Sequence, residues 1–152
     1  VGSWCQSISP WEAPEQVEEY QSFVDSLAQC CQTRIDAGQN ICFIAGVDLA
    51  HVGSEFGDTF ELTPEFMQQV EMRDRELIKT LSLNDKAALC SHISQDQDSR
   101  KVCGYSSLYT MLDVFERLEL SFDFKLFDYD QAVNSESGCG VTFFGAGLYH
   151  RD

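Results

Sequence analysis

Positive charge is scarce in this chain: 10 Lys and Arg stand against 25 Asp and Glu, a formal net charge of −15 over 152 residues. Nucleic acid is therefore not an expected partner, because a polyanion is repelled and no Lys/Arg cluster exists to release counterions. Anionic membrane surfaces are disfavoured on the same ground. The acidity itself reads as a source of solubility. Long hydrophobic runs are missing too, and nothing approaches the ~20 continuous apolar residues that a membrane helix needs. The opening residues hold no basic stretch followed by an apolar one, so no signal peptide is legible. No C-x-x-C occurs, which removes the thioredoxin-like and zinc-knuckle patterns. A Ser-His-Asp elbow, a Walker phosphate loop and H-E-x-x-H are also absent. So are internal repeats and low-complexity tracts.

What is present suits one globular domain spanning 1–152: 43% of residues are hydrophobic and 23% charged. The seven cysteines are odd in number, and several sit inside apolar patterns. That combination indicates a reducing, cytoplasmic compartment, with most thiols serving as small core residues. Cys30-Cys31 is a vicinal pair on a helix, where at most one can face inward.

Apolar residues at three- and four-residue intervals from Val17 to Cys31 predict a helix over roughly 14–34. Asp36-Ala37-Gly38 is its stop. ICFIAGV, residues 41–47, does not alternate apolar with polar, and predicts a strand buried on both faces. Thr63-Pro64 starts a second helix to about Leu81, with EMRDRE as its solvated face. Asn84 can cap a short helix over 86–93, and a further helix covers 104–120. SFDFKLFDYDQAV alternates as a strand, NSESGCG is a turn cluster, and GVTFFGAGLYH is a closing strand. Val1-Gly2-Ser3-Trp4 reads as the tail of a strand that begins before the chain does. The fold class is α/β, a mixed sheet with covering helices.

Two places carry candidate chemistry. Asp48 and His51 lie three apart, directly after the apolar strand, where loops of α/β proteins present polar groups to ligands. A carboxylate can set a histidine's tautomer for metal binding or proton transfer; equally, Asp48 can hydrogen-bond its own loop beside a satisfied His51. Cys103, in RKVCGYSSLYTML, stands at the mouth of a helix beside Arg100 and Lys101. A helix dipole and nearby cations favour the thiolate, as in a metal ligand or a reactive thiol; the alternative is a buried cysteine at a tight junction. Tyr129 and Gln131, at the end of a strand, can line a cofactor or substrate pocket, or simply end the strand. His92 and Cys90 point to different helix faces and make a poor ligand pair.

DLAHVGSEFGD after an apolar strand, then RKVCGYSSLYTML, then FDYDQAV and a small/aromatic closing strand resemble, in that order, the Memo family. Its prokaryotic members are called AmmeMemoRadiSam system protein B. The resemblance implies a fold related to class III extradiol dioxygenases, which use non-haem iron. It implies a metal site of two histidines and one cysteine, with Cys103 matching the cysteine and Asp48 and His51 bordering the same cavity. The two histidines belong to the family's N-terminal half, which has no counterpart here. The implied cofactor is therefore iron or copper with an incomplete ligand set. The implied partners are a missing N-terminal half or a complementary chain, and a small-molecule or peptide ligand. The expected function is a metal-dependent oxidoreductase; the alternative is a non-catalytic adaptor using the same cavity. A thiol redox role for Cys103 is a third expectation.

Overall fold

A computed structural model describes residues 14–151. The strand tail expected at 1–4 lies outside the described residues. After a short 3₁₀ turn, Pro14–Gln16, the elements are α1 (Glu18–Asp36), β1 (His51–Val52), a 3₁₀ turn (Ser54–Phe56), α2 (Pro64–Ser82), α3 (Lys86–Gln95), α4 (Tyr105–Arg117), β2 (Phe122–Asn134) and β3 (Cys139–His150). Among the described residues, no helix is long and apolar enough to cross a membrane.

The helices start and stop for local reasons. Thr63 caps α2 by accepting the Phe66 N–H at 3.2 Å, with Pro64 in the first turn. Asp85, not Asn84, caps α3, accepting the Ala88 N–H at 2.8 Å. Asn84 instead takes a left-handed φ of 54° in the connecting turn. α1 ends at Asp36, and Gly38 follows at φ 74°. Each helix contributes an apolar stripe to one main core: Tyr20 and Val24 from α1, Leu77 and Ile78 from α2, Leu89 and Ile93 from α3, Leu108 and Leu112 from α4. Of the vicinal thiols, Cys31 is buried and Cys30 exposed.

β2 and β3 form the expected antiparallel hairpin, paired from Phe122↔His150 to Asn134↔Cys139 with one irregularity at Leu126/Asp128. β1 adds to the other edge of β3, giving the order β1-β3-β2.

Two expectations are corrected. The sheet is antiparallel rather than mixed among the described residues, because 41–47 does not join it. That segment is buried on one face only. Phe43, Ala45 and Val47 pack against the core, while Cys42 is exposed and Ile44 is 87% exposed. An all-apolar run normally marks a strand sandwiched between layers; here the described residues supply one layer. The second correction concerns EMRDRE. Its Asp74 is fully buried, since it falls four residues after Val70 and four before Ile78, inside the apolar stripe.

Candidate metal centre

The loop that carries Asp48 and His51 is held on both sides. Leu49 donates its N–H to the Thr142 carbonyl at 2.8 Å, and Thr142 returns its own N–H to the Ala50 carbonyl at 3.0 Å. The Ala50 N–H bonds the Thr142 Oγ1 at 2.9 Å. On the opposite side, the His51 N–H meets the Arg100 carbonyl at 2.7 Å. The segment before α4 closes the arrangement, with the Gly104 N–H donating to the Asp48 carbonyl at 3.0 Å. Only glycine permits this approach. A Cβ at 104 would lie 2.6 Å from the Asp48 carbonyl oxygen and 2.9 Å from Val47.

Three sequence-distant side chains thereby converge. One potential ligand atom from each of Asp48, His51 and Cys103 lies within 4.8 Å of the others. His51 Nε2 stands 3.9 Å from Asp48 Oδ2. His51 Nδ1 lies 3.2 Å from the Leu49 carbonyl, which can only accept, so Nδ1 carries the hydrogen and Nε2 presents its lone pair. Metal-binding imidazoles are held in this way, by a carbonyl that accepts from the nitrogen that does not face the metal. Phe56 packs edge-on against the ring at 5.0 Å. Cys103 Sγ donates to the Asp48 carbonyl at 3.5 Å. Metal–ligand bonds of roughly 2.0–2.3 Å hold ligand atoms about 3–4 Å apart, so a modest closure of these side chains suffices.

The cations expected beside Cys103 are engaged elsewhere. The Arg100 guanidinium bonds Asp74, Asp96 and His92. Lys101 Nζ reaches Asp58 at 2.6 Å. Burial first, and then the neighbouring Asp48 and Asp98 carboxylates, push the Cys103 thiol up. A free reactive thiolate is not favoured here. A bound cation would reverse that balance by stabilising the deprotonated sulfur.

Tyr129 and Gln131 do not join the cluster. The Tyr129 hydroxyl donates to Asp74 Oδ2 at 2.9 Å, with the Arg75 guanidinium over its ring. The Gln131 amide bonds the Tyr129 hydroxyl at 3.0 Å and the Met67 carbonyl at 3.1 Å. Both belong to a buried network centred on Asp74, which also accepts from Thr142 Oγ1 at 2.5 Å and pairs with Arg100. Arg100 and Thr142 hold the one segment that carries Asp48 and His51, through His51 and through Leu49 and Ala50, and Asp74 ties their side chains together, a role that the sequence does not announce. The one usable signal was a carboxylate on the apolar stripe of α2.

A small antiparallel sheet with helical cover, presenting an Asp-His-Cys cluster on loops, defines an α/β protein with a candidate metal centre. The Memo-like protein family matches residues 15–145, and the chain belongs to that family. Comparison with curated proteins finds no match.

Proposed function

We propose that Asp48, His51 and Cys103 bind a first-row transition-metal ion, iron or copper, as part of an oxidoreductase centre of the extradiol-dioxygenase-like Memo type. The observation that carries this reading is the convergence of carboxylate, imidazole and thiol with His51 Nδ1 already committed to a carbonyl. The donor set fits. Imidazole suits iron and copper, thiolate favours softer or more reduced ions, and a carboxylate offsets their charge. Asp48 and His51 thus act as ligands themselves, rather than only bordering the site. Such an ion would supply electron exchange with a bound small molecule. This chain's residues hold and orient it: the Leu49 carbonyl fixes the His51 ring, and Gly104 lets Cys103 approach Asp48. A reduced Cys103 accords with a cytoplasmic setting. Further polypeptide, such as an N-terminal half, completes the ligand set.

Anaerobic titration with Co(II) as a spectroscopic probe tests this, followed by Fe(II) and Cu(I) affinity measurements. A thiolate-to-metal charge-transfer band is expected in the full chain. Cys103→Ser should abolish it, and His51→Ala should weaken binding at least tenfold. Binding undiminished in both variants would overturn the assignment.

A further inference from the structure

The side chains of the candidate centre stand on two chain segments, Asp48 and His51 on one and Cys103 on the other. Asp58 bonds both segments at once. Its Oδ2 accepts the Gly53 N–H at 2.8 Å, just past β1. Its Oδ1 accepts from the Lys101 ammonium at 2.6 Å, two residues before Cys103. The Asp58 N–H returns to the Gly53 carbonyl at 3.2 Å, which closes residues 53–58 into a loop. The Asp58 side chain is 13% exposed and that of Lys101 39%, so water screens this pair less than one that stands free on the surface.

The loop is seated on the sheet. The Glu55 N–H donates to the Gly138 carbonyl at 3.3 Å, and Ser54 Oγ donates to the Ser137 carbonyl at 3.4 Å. A Cβ at 53 would lie 2.1 Å from the Gly138 carbonyl oxygen, so only glycine allows this seat on the β2–β3 turn. Phe56, in the same loop, sets its ring against His51. The segment that leads to Cys103 is built differently. Gln97, Asp98 and Lys101 take left-handed φ angles of 54°, 53° and 50°. Residues other than glycine hold such angles at a cost, where their surroundings enforce them. Asp98 Oδ1 accepts the Val102 N–H at 2.8 Å, and the Lys101 N–H bonds the Asp98 carbonyl at 2.8 Å. Lys101 Nζ also lies 3.5 Å from the Ser99 carbonyl. Those contacts lie inside the segment, whereas Asp58 reaches Lys101 from the loop seated on the sheet.

We propose that Asp58 is a positioning residue for the metal centre: through Gly53 and Lys101 it fixes how far the His51 segment stands from the Cys103 segment. The proposal rests on the metal reading for what is positioned, and on the two hydrogen bonds of Asp58 for how. Ligand atoms now within 4.8 Å of one another close to about 3–4 Å around an ion, so the separation of the two segments bears directly on affinity. Charge alone leads to a different expectation. Lys101 is a cation two residues from a ligand, and if it acted only by Coulomb repulsion, its removal would raise affinity for a metal ion. Removal of the Asp58 charge would lower it. Positioning lowers affinity in both cases, so the two roles differ in sign at Lys101.

Two measurements on the full chain test this: Co(II) affinity, and amide hydrogen exchange of the metal-free protein. Asp58→Asn keeps an acceptor for Gly53 but sets an amide against the ammonium; Lys101→Met removes the ammonium. Each should lower Co(II) affinity about tenfold, as the loss of a contact behind a ligand does. The double variant should lose no more than either single one, because both break one contact. In the metal-free protein the His51 and Gly104 amides, which bond the Arg100 and Asp48 carbonyls across the two segments, should lose about tenfold in protection. Lys101→Arg, whose guanidinium can still pair with the carboxylate, should restore both properties. Where Asp58→Asn fails to fold, Lys101→Met carries the same test at a half-exposed side chain. Unchanged or higher Co(II) affinity in Lys101→Met overturns the proposal and leaves Lys101 a repelling charge. Protection of both amides at the wild-type level in the variants overturns it too. Loss of protection in the variants of a chain that binds no Co(II) even as wild type would overturn the metal reading instead, and support the hold of Asp58 on the two segments.

Discussion

Asp74→Ala should be among the most damaging single substitutions in this protein, although Asp74 lies on no loop and in no motif. The carboxylate has no exposure to solvent, and Arg100, its ionic partner, is 5% exposed. Removing one partner of a buried pair costs about 3–5 kcal/mol, and here it leaves Arg100 with Asp96 at 3.3 Å as its remaining ionic partner. Thr142 and Tyr129 lose their acceptor in the same step, which keeps the expected loss toward the upper part of that range. For a domain near 150 residues this corresponds to a fall in Tm of roughly 8–16 °C. Urea unfolding followed by circular dichroism measures it. The double variant Asp74→Leu/Arg100→Met replaces both charges with apolar groups and should recover most of the loss. A loss below about 1 kcal/mol in Asp74→Ala would refute the reasoning, because Asp96 alone would then be enough to hold the Arg100 charge. A double variant as unstable as the single one would show that the damage comes from Thr142 and Tyr129 rather than from the stranded guanidinium.

Two further substitutions probe the same framework. His92 is buried and its Nε2 accepts from Arg100 at 3.0 Å; burial, then the Arg100 and Arg73 charges, lower its pKa against the weaker opposite pull of Glu76 and Asp96. Above about pH 6.5 the ring is neutral whether the chain is folded or not; below it the unfolded chain takes a proton that the folded one refuses. Stability should therefore fall as pH drops from about 6.5 toward the folded pKa. His92→Gln, whose amide oxygen can still accept from Arg100, should flatten that slope in melts at pH 7.5 and 5.5, and an unchanged slope would assign it to other groups. Gly104→Ala forces a Cβ to within 2.6 Å of the Asp48 carbonyl. It should separate Cys103 from Asp48 and reduce Co(II) affinity at least tenfold with the helices intact by circular dichroism. Retention of wild-type affinity would mean that the close approach is not required.

The helices and the hairpin were legible because each rests on short-range rules. Thr63-Pro64 is a cap and a first turn wherever it occurs ahead of an apolar stripe, and Phe122, Phe124 and Leu126 alternate as one half-buried face must. Asp48, His51 and Cys103 were legible as candidates from residue type and from their place after an apolar run or before a helix. Their meeting was not, since 52 positions of sequence separate His51 from Cys103 and only long-range hydrogen bonding closes that distance. The 41–47 segment shows the opposite failure. Its composition describes a strand covered on both faces, whereas among the described residues only one side is packed.

By itself, then, the sequence determined the acidic character of the chain, the positions of its helices and the β2–β3 hairpin, because period, capping and charge act over a few residues at a time. The tertiary structure decided which polar groups are buried together. Asp74, read alone as one more charge on a solvated helix face, becomes the centre of a network through Arg100, Thr142 and Tyr129. Arg100 and Lys101, adjacent to Cys103 in sequence, turn away to Asp74 and Asp58. Electrostatic environment depends on distance through space in a low-dielectric interior, and that distance exists only once the helices have packed.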